Sequence, residues 1–280
     1  MNSSTLKHGL HSAEHLKAAI DGRMSGSESK ATTFGRALHA RVLEPDEYNQ
    51  RFTIASGCQE LLKTGASKGF ACGKSAKYLF QGKFVCGGHL PPAAKDLCDP
   101  VPNLLTIEEA QDIEAAAAVI SGKKVNRLLK QRGGFETTVI SEIDGVRVKC
   151  RLDKYVPRQG ELPPVILDLK KVGVGRGDDE SFGRSAFDYG YDVSAAFYVD
   201  AVETLIGEKP VFIWLIVEDG YPHSVNVIQA DDDTLTVGRI RYRECLGKYI
   251  VGMQTGQWPG YADEIKCGGL PGWAKAKYLK

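Results

Sequence analysis

A mixed α/β core, with about five strands flanked by helices, is predicted by three observations. They are a β-hairpin signal at Asp144-Gly145, a third strand soon after it at Val165 to Lys171, and helical spacing on both sides of these strands. The chain has 280 residues, 42% of them hydrophobic and 25% charged, which excludes a wholly disordered, collagenous or coiled-coil protein. Thirty-six Lys and Arg against thirty-five Asp and Glu leave a net charge of +1, so any nucleic-acid partner must be held by a local basic patch. The apolar run Val211 to Val217 is far shorter than the ~20 residues that span a bilayer. The N-terminus lacks the basic start and apolar stretch of a secretory signal. A cytoplasmic location with no membrane segment is therefore expected.

Residues 1–56 read as helices. Ser12 opens one, and Thr33 to Glu44 forms another that Pro45 is expected to stop. Phe34, Ala37, Leu38, Arg41 and Val42 recur at the three-four spacing of a buried stripe, with His39 at its edge. Residues 57–103 differ: Gly and Lys recur and periodicity fades. Lys63, Lys68, Lys74, Lys77, Lys83 and Lys95 interleave with Phe70, Tyr78, Phe80 and Phe84, a composition that suits phosphate attraction with base stacking and equally suits a solvated loop. Cys58, Cys72 and Cys86 recur every fourteen residues and Cys98 follows. The chain has seven cysteines and no CxxC pair, so ordinary thiols are expected in preference to a disulfide framework, a zinc site or an iron–sulfur site.

Thr106 with Glu109 three residues later is a capping box, and an Ala-rich helix runs from it towards Leu129 until Gly133-Gly134. Phe135 to Ile143 and Val146 to Val156 are strands joined by Asp144-Gly145. Ser185 to Ile206 reads as one helix ended by Gly207. Val211 to Glu218 and Ser224 to Ala230 are two further strands, and Asp231-Asp232-Asp233 starts a last helix. The tail from Trp258-Pro259 to Trp273 is expected to be extended.

Chemistry concentrates in Arg151-Leu152-Asp153-Lys154-Tyr155 and in Leu167-Asp168-Leu169-Lys170. Asp168 and Lys170 are two apart on a strand and leave the same face. Asp153 can meet them if the two strands pair as an antiparallel meander. An Asp-x-Lys tripeptide alone is usually a solvated pair on the wet side of a sheet. Here Val165, Ile166, Leu167 and Leu169 make the strand apolar on both faces, so the charges sit where they are costly unless paired or metal-bound. Carboxylates completed by water and phosphate oxygens are what Mg²⁺ prefers.

These segments, with Tyr189 to Asp200 behind them, resemble the PD-(D/E)xK nuclease core of the RecE-type exonucleases, the exonuclease VIII nuclease domain, which has phage-borne relatives. The resemblance extends upstream to Gly35-Arg36-Ala37-Leu38-His39 and Leu43-Glu44-Pro45-Asp46, and downstream to Trp258-Pro259 and Leu270-Pro271-Gly272-Trp273-Ala274. It implies a restriction-endonuclease-like core in a single nuclease domain spanning 1–280. Within it 57–103 would be a basic insertion, 104–256 the catalytic core and 257–280 a C-terminal extension.

The resemblance also implies roles. Asp153 and Asp168 would be metal ligands, Lys170 the catalytic lysine, His39 a further ligand from an upstream helix, and Glu136 an accessory carboxylate. The family's Gln and Tyr, four residues apart on the next helix, correspond here to Ser194 and Tyr198, and a serine is too short to reach as a glutamine would. The loop Gly173 to Gly177 mimics a phosphate loop only weakly, and Arg176 and Arg184 are placed near DNA phosphates. The activity implied is Mg²⁺-dependent exonuclease action on double-stranded DNA ends, with Mn²⁺ as substitute. Its direction would be 5′ to 3′, leaving 3′ overhangs for a single-strand annealing recombinase, and the enzyme would be a homo-oligomeric ring. An endonuclease or nickase of the same core, or a catalytically weakened DNA-binding or assembly protein, is the alternative.

Overall fold

Two runs of buried apolar side chains, one on each side, hold a five-stranded sheet whose central strands carry the Asp and Lys residues singled out above. The computed structural model describes residues 1–24, 30–270 and 272–278, so residues 25–29 of the N-terminal region and Pro271 of the C-terminal motif lie outside the described residues. Helices α1 (Ser3–Leu6), α2 (Ala13–Ile20), α3 (Lys30–Leu43) and α4 (Pro45–Arg51) come first. Strand β1 (Thr53–Ala55), the hairpin β2 (Tyr78–Phe80) and β3 (Lys83–Val85), and strand β4 (Leu104–Thr106), parallel to β1, follow. Helices α5 (Ile107–Ser121) and α6 (Asn126–Lys130) lead into β5 (Gly134–Ile143), β6 (Val146–Val156) and β7 (Val165–Val172). Then come α7 (Asp179–Asp188), α8 (Tyr191–Ile206), β8 (Val211–Glu218), β9 (Val225–Gln229), α9 (Asp232–Thr255) and α10 (Gly272–Tyr278).

The large sheet has the order β5-β6-β7-β8-β9, with β7 and β8 parallel and every other neighbour antiparallel. Asp144 and Gly145 both have positive φ (51° and 76°), as the tight hairpin turn between β5 and β6 requires. Successive β7 residues feed opposite cores, as the two-residue period of a strand dictates. Ile166 and Val172 join Phe212 and Trp214 under α7, α8 and α9, while Leu167 and Leu169 join Leu215 and Val217 under α3 and α5. The mixed α/β architecture is thus as the sequence predicts.

Several boundaries differ. Pro45 does end α3, but it also begins α4 as the first helical residue, where its missing N–H costs no hydrogen bond. The capping box at Thr106 and Glu109 is present, yet its helix stops at Gly122, well before Leu129. The stretch 185–206 is two helices, because Gly190 turns into the left-handed region (φ 65°) and separates α7 from α8. Asp178, whose side chain accepts from Ser181 N–H, caps α7. Trp273 belongs to α10, so the tail is not extended throughout.

The segment 57–103 has its own small core of Cys58, Val85, Cys86, Leu90 and Ala94, with Cys72, Tyr78, Phe80 and Cys98 packed against it. Tyr78 and Phe80 therefore serve packing within this segment, and of the four aromatic residues Phe70 is the one standing largely exposed. Among the described residues no helix is long and apolar enough to cross a membrane.

Helices α8 and α9 cross closely at Gly238, where an added Cβ would lie 2.2 Å from the Asp192 carbonyl oxygen; Gly247 on the same helix has open space. Gly238→Ala is expected to lose on the order of 1–3 kcal/mol in denaturant unfolding, because the backbone of α8 must move. Gly247→Ala should gain about 0.5–1 kcal/mol from helix propensity. Equal stability of the two variants would contradict this packing.

Candidate active site

Strands β6 and β7 begin as an antiparallel pair, with Val156 opposite Val165, Tyr155 opposite Ile166 and Lys154 opposite Leu167, and there the ladder stops. The next residue on β6 is Asp153. Its carboxylate takes over the role of a strand neighbour, with Oδ2 accepting the Leu169 N–H at 2.7 Å. The strands thus fork around a buried carboxylate, and a backbone donor that would otherwise lack a partner is satisfied by it. The facing strand β5 is interrupted at the same level. Phe135 pairs with Lys154 and Thr137 with Leu152, while Glu136 between them adopts φ 47°, a left-handed backbone that favours glycine. Such strain in a non-glycine residue persists only where its surroundings hold it.

Helix α3 closes the fork from the side. His39 places Nε2 2.9 Å from Asp153 Oδ2 and 3.3 Å from the Leu169 carbonyl oxygen, and Nδ1 3.4 Å from Glu136 Oε1. Glu136 is also paired with Arg151 on β6. Ligand atoms of His39, Glu136 and Asp153 all lie within 4.8 Å of one another. Burial opposes a charge on His39, but its hydrogen bonds to Asp153 and Glu136 outweigh burial and raise its pKa to about 10. The imidazolium in turn holds the Glu136 carboxyl below its ordinary value.

Asp168 and Lys170 leave the other face of β7 as a salt bridge, with Asp168 only 6% exposed. Burial would lower the Lys170 pKa; the Asp168 and Asp153 carboxylates outweigh it and keep the ammonium above its ordinary value. Lys170 Nζ lies 5.3 Å from the Tyr191 ring centroid, a cation–π distance, and Lys7 Nζ approaches the same ring at 5.9 Å. The Tyr198 hydroxyl feels both Asp168 and Lys170 and accepts from Ser3 Oγ at 3.3 Å; burial pushes its pKa up to about 12.

The structure therefore gathers His39, Glu136 and Asp153 directly, sets Asp168 and Lys170 beside them, and brings Tyr198 within electrostatic reach of the last two. Ser194 is not part of this group: its hydroxyl donates to the Gly190 carbonyl at 3.4 Å, within its own helix. Arg184 is tied to Glu180 on the exposed side of α7, and Arg176 is exposed on the loop after β7. The cleft over His39, Glu136 and Asp153 is lined instead by Arg36, Arg51 and Arg151. Sequence reasoning missed these three, along with Tyr191 and Lys7. Arg36 and Arg151 carried a signal, since one precedes His39 by three residues, nearly one helical turn, and the other stands two before Asp153 on the same strand face.

A sheet of this order, with paired acidic residues and a lysine at the fork of its central strands, is a PD-(D/E)xK-like core. The chain belongs to the family described as the PDDEXK-like domain of unknown function (DUF3799), whose model matches residues 2–269, and the resemblance read from the sequence is borne out. Among solved structures it is similar to a protein of Eubacterium rectale named "Putative exonuclease", at 15% identity and TM-score 0.60, covering 99% of this chain and 92% of that one. At that identity the likeness shows the fold. A phage-related exonuclease from Haemophilus somnus 129PT matches at 14% identity and TM-score 0.29, over 60% of this chain and 90% of that one. No curated protein matches the chain.

An imidazole and several carboxylates form a hard oxygen and nitrogen donor set that fits a divalent cation. At neutral pH an ion held by His39 would have to displace the proton that Asp153 and Glu136 keep on its ring. Titrating chelator-treated protein with Mn²⁺ at pH 7 should release about one proton, read as a dependence of the calorimetric heat on the buffer's ionisation enthalpy. The release should vanish in His39→Gln. A heat independent of buffer would show that His39 keeps its proton and is not a ligand.

Proposed function

We propose that the chain is a metal-dependent double-strand DNA exonuclease. The meeting of His39, Glu136 and Asp153 ligand atoms within 4.8 Å, beside the Asp168–Lys170 pair, is the observation that carries this. Membership of a PDDEXK-like family and a similar fold in a protein named as an exonuclease support it.

In the proposed reaction Asp153, Asp168 and His39 hold Mg²⁺, or Mn²⁺ in its place, with Glu136 accessory to them. A divalent ion held there would supply Lewis-acid polarisation of the scissile phosphate and would make water beside it more acidic. Lys170, anchored by Asp168, orients the attacking water, and its persistent positive charge faces the negative charge that develops on phosphorus oxygens. Arg36, Arg51 and Arg151 supply the positive field that attracts the DNA backbone into the cleft. Tyr191 positions the Lys170 ammonium by its ring face. The Ser194 hydroxyl is occupied by its own helix, which leaves Tyr191 and Tyr198 as the α8 groups beside the site. Resemblance to the RecE type supports the finer proposals: 5′ to 3′ digestion, 3′ overhangs handed to a single-strand annealing recombinase, and a homo-oligomeric ring around the DNA.

Degradation of end-labelled linear duplex with Mg²⁺, with and without a 5′ phosphate, tests activity and polarity together. Asp168→Ala should abolish hydrolysis while duplex binding persists. Lys170→Ala should lose roughly 10²–10⁴-fold in rate, the usual contribution of a proton-handling or water-orienting group. Full activity in Asp168→Ala would refute the assigned site, and steady cutting of covalently closed circles by the pure protein would replace the exonuclease with an endonuclease or nickase.

A further inference from the structure

The segment 57–103 holds a second cluster of ligand-type side chains, far from the fork in sequence and built from different chemistry. Sγ of Cys58, Cys72 and Cys86 and a ring nitrogen of His89 all lie within 4.8 Å of one another. His89 Nδ1 stands 3.3 Å from Cys58 Sγ and 3.5 Å from Cys86 Sγ. We propose that these four residues form a structural Zn²⁺ site that fastens the insertion into a defined fold.

The backbone around the cluster is arranged for such a role. Three chain segments that are far apart in sequence are joined by main-chain hydrogen bonds at the cysteines themselves. Cys58 N–H donates to the Lys74 carbonyl at 2.7 Å, Gly73 N–H to the Cys58 carbonyl at 3.1 Å, and Cys72 N–H to the Glu60 carbonyl at 2.8 Å. Gln59 N–H, next to Cys58, donates to the Phe84 carbonyl at 2.8 Å and so ties in the strand that leads to Cys86. The first two segments approach so closely that a Cβ on Gly57 would lie 2.9 Å from the Gly73 carbonyl oxygen. Cys86-Gly87-Gly88-His89 is a two-residue-spaced ligand pair, closed as a turn by His89 N–H and Leu90 N–H on the Cys86 carbonyl at 3.0 and 3.1 Å. A search for CxxC alone passes over it, although a Cys-x-x-His pair serves zinc equally well.

The ligand types decide the ion. Three thiolates and one imidazole fill the four positions of a closed tetrahedral zinc site, whose sulfurs lie ~3.8 Å apart when Zn–S is about 2.3 Å, so the observed cluster needs only a small contraction. An iron–sulfur cluster ordinarily takes four thiolates, and its several irons spread them further than one ion does. Cys98 packs against the same core but lies outside the ligand group. The insertion also needs a staple: five buried side chains and two three-residue strands are a meagre core for its length. A metal supplies what burial of apolar surface does not.

The full-length protein, purified without chelator, is assayed by elemental analysis, and the metal-free protein is refilled with Co²⁺. The expected result is about one zinc per chain in the parent, in Cys98→Ser and in Asp168→Ala, falling to background in Cys72→Ser and Cys86→Ser. Co²⁺ bound to the parent should show sulfur-to-cobalt charge transfer in the near ultraviolet with the intense visible bands of a tetrahedral ion. This readout does not depend on whether the cysteine variants fold. Absence of that spectrum, zinc that persists in Cys86→Ser, or iron with inorganic sulfide in place of zinc would each overturn the proposal.

Discussion

The hydrogen bond from the Leu169 amide to the Asp153 carboxylate takes the place of a strand-to-strand bond at the point where β6 and β7 part. A buried carboxylate is costly unless its oxygens are engaged, and a buried amide is costly unless it donates; each group solves the other's difficulty. The same arrangement fixes where Asp153 points. Everything else in the candidate site is measured from it: His39 bonds to Asp153, Glu136 faces it from the interrupted strand β5, and Asp168 and Lys170 flank Leu169 on β7.

Placing charge there requires a sheet that is packed on both sides. Leu167 and Leu169 seal one core and Ile166 and Val172 the other, so the strand between them keeps solvent away from Asp168. Before any metal binds, opposite charges balance within the site, Lys170 against Asp168 and His39 against Asp153 and Glu136. A divalent cation held by His39 would take the place of the proton on its ring while Lys170 keeps its charge, which makes the site's protonation part of its metal affinity. At the mouth of the cleft Arg151 shares Glu136 with His39 and Arg51 pairs with Glu44, while Arg36 lines the same opening, where a polyanion would arrive.

Much of this was legible in the sequence. The alternation of Val146 to Val156, the Asp144-Gly145 turn and the two-sided apolar character of Val165 to Val172 gave the meander and its buried charges. The resemblance supplied His39 and Glu136, and the structure sets both against Asp153. Three things were not legible, for physical reasons. The break at Gly190 rests on a left-handed backbone (φ 65°) within a run whose apolar residues keep helical spacing on both sides, so periodicity alone reads through it. The cleft arginines lie on separate elements, so no local pattern marks them as a group. The clustering of Cys58, Cys72 and Cys86 with His89 was hidden because no CxxC pair marks it and the segments are brought together by main-chain bonds that no periodicity reveals.

The near-neutral net charge conceals this organisation, since carboxylates gather at the fork while lysines gather in 57–103. Anomalous diffraction from crystals soaked in Mn²⁺ tests the central claim most directly, because it locates the ion without relying on catalysis. A single strong peak within the β6–β7 fork, bounded by Asp153, Asp168 and His39, is the predicted result. A peak elsewhere, or an unoccupied fork at Mn²⁺ concentrations that support DNA hydrolysis, would contradict it.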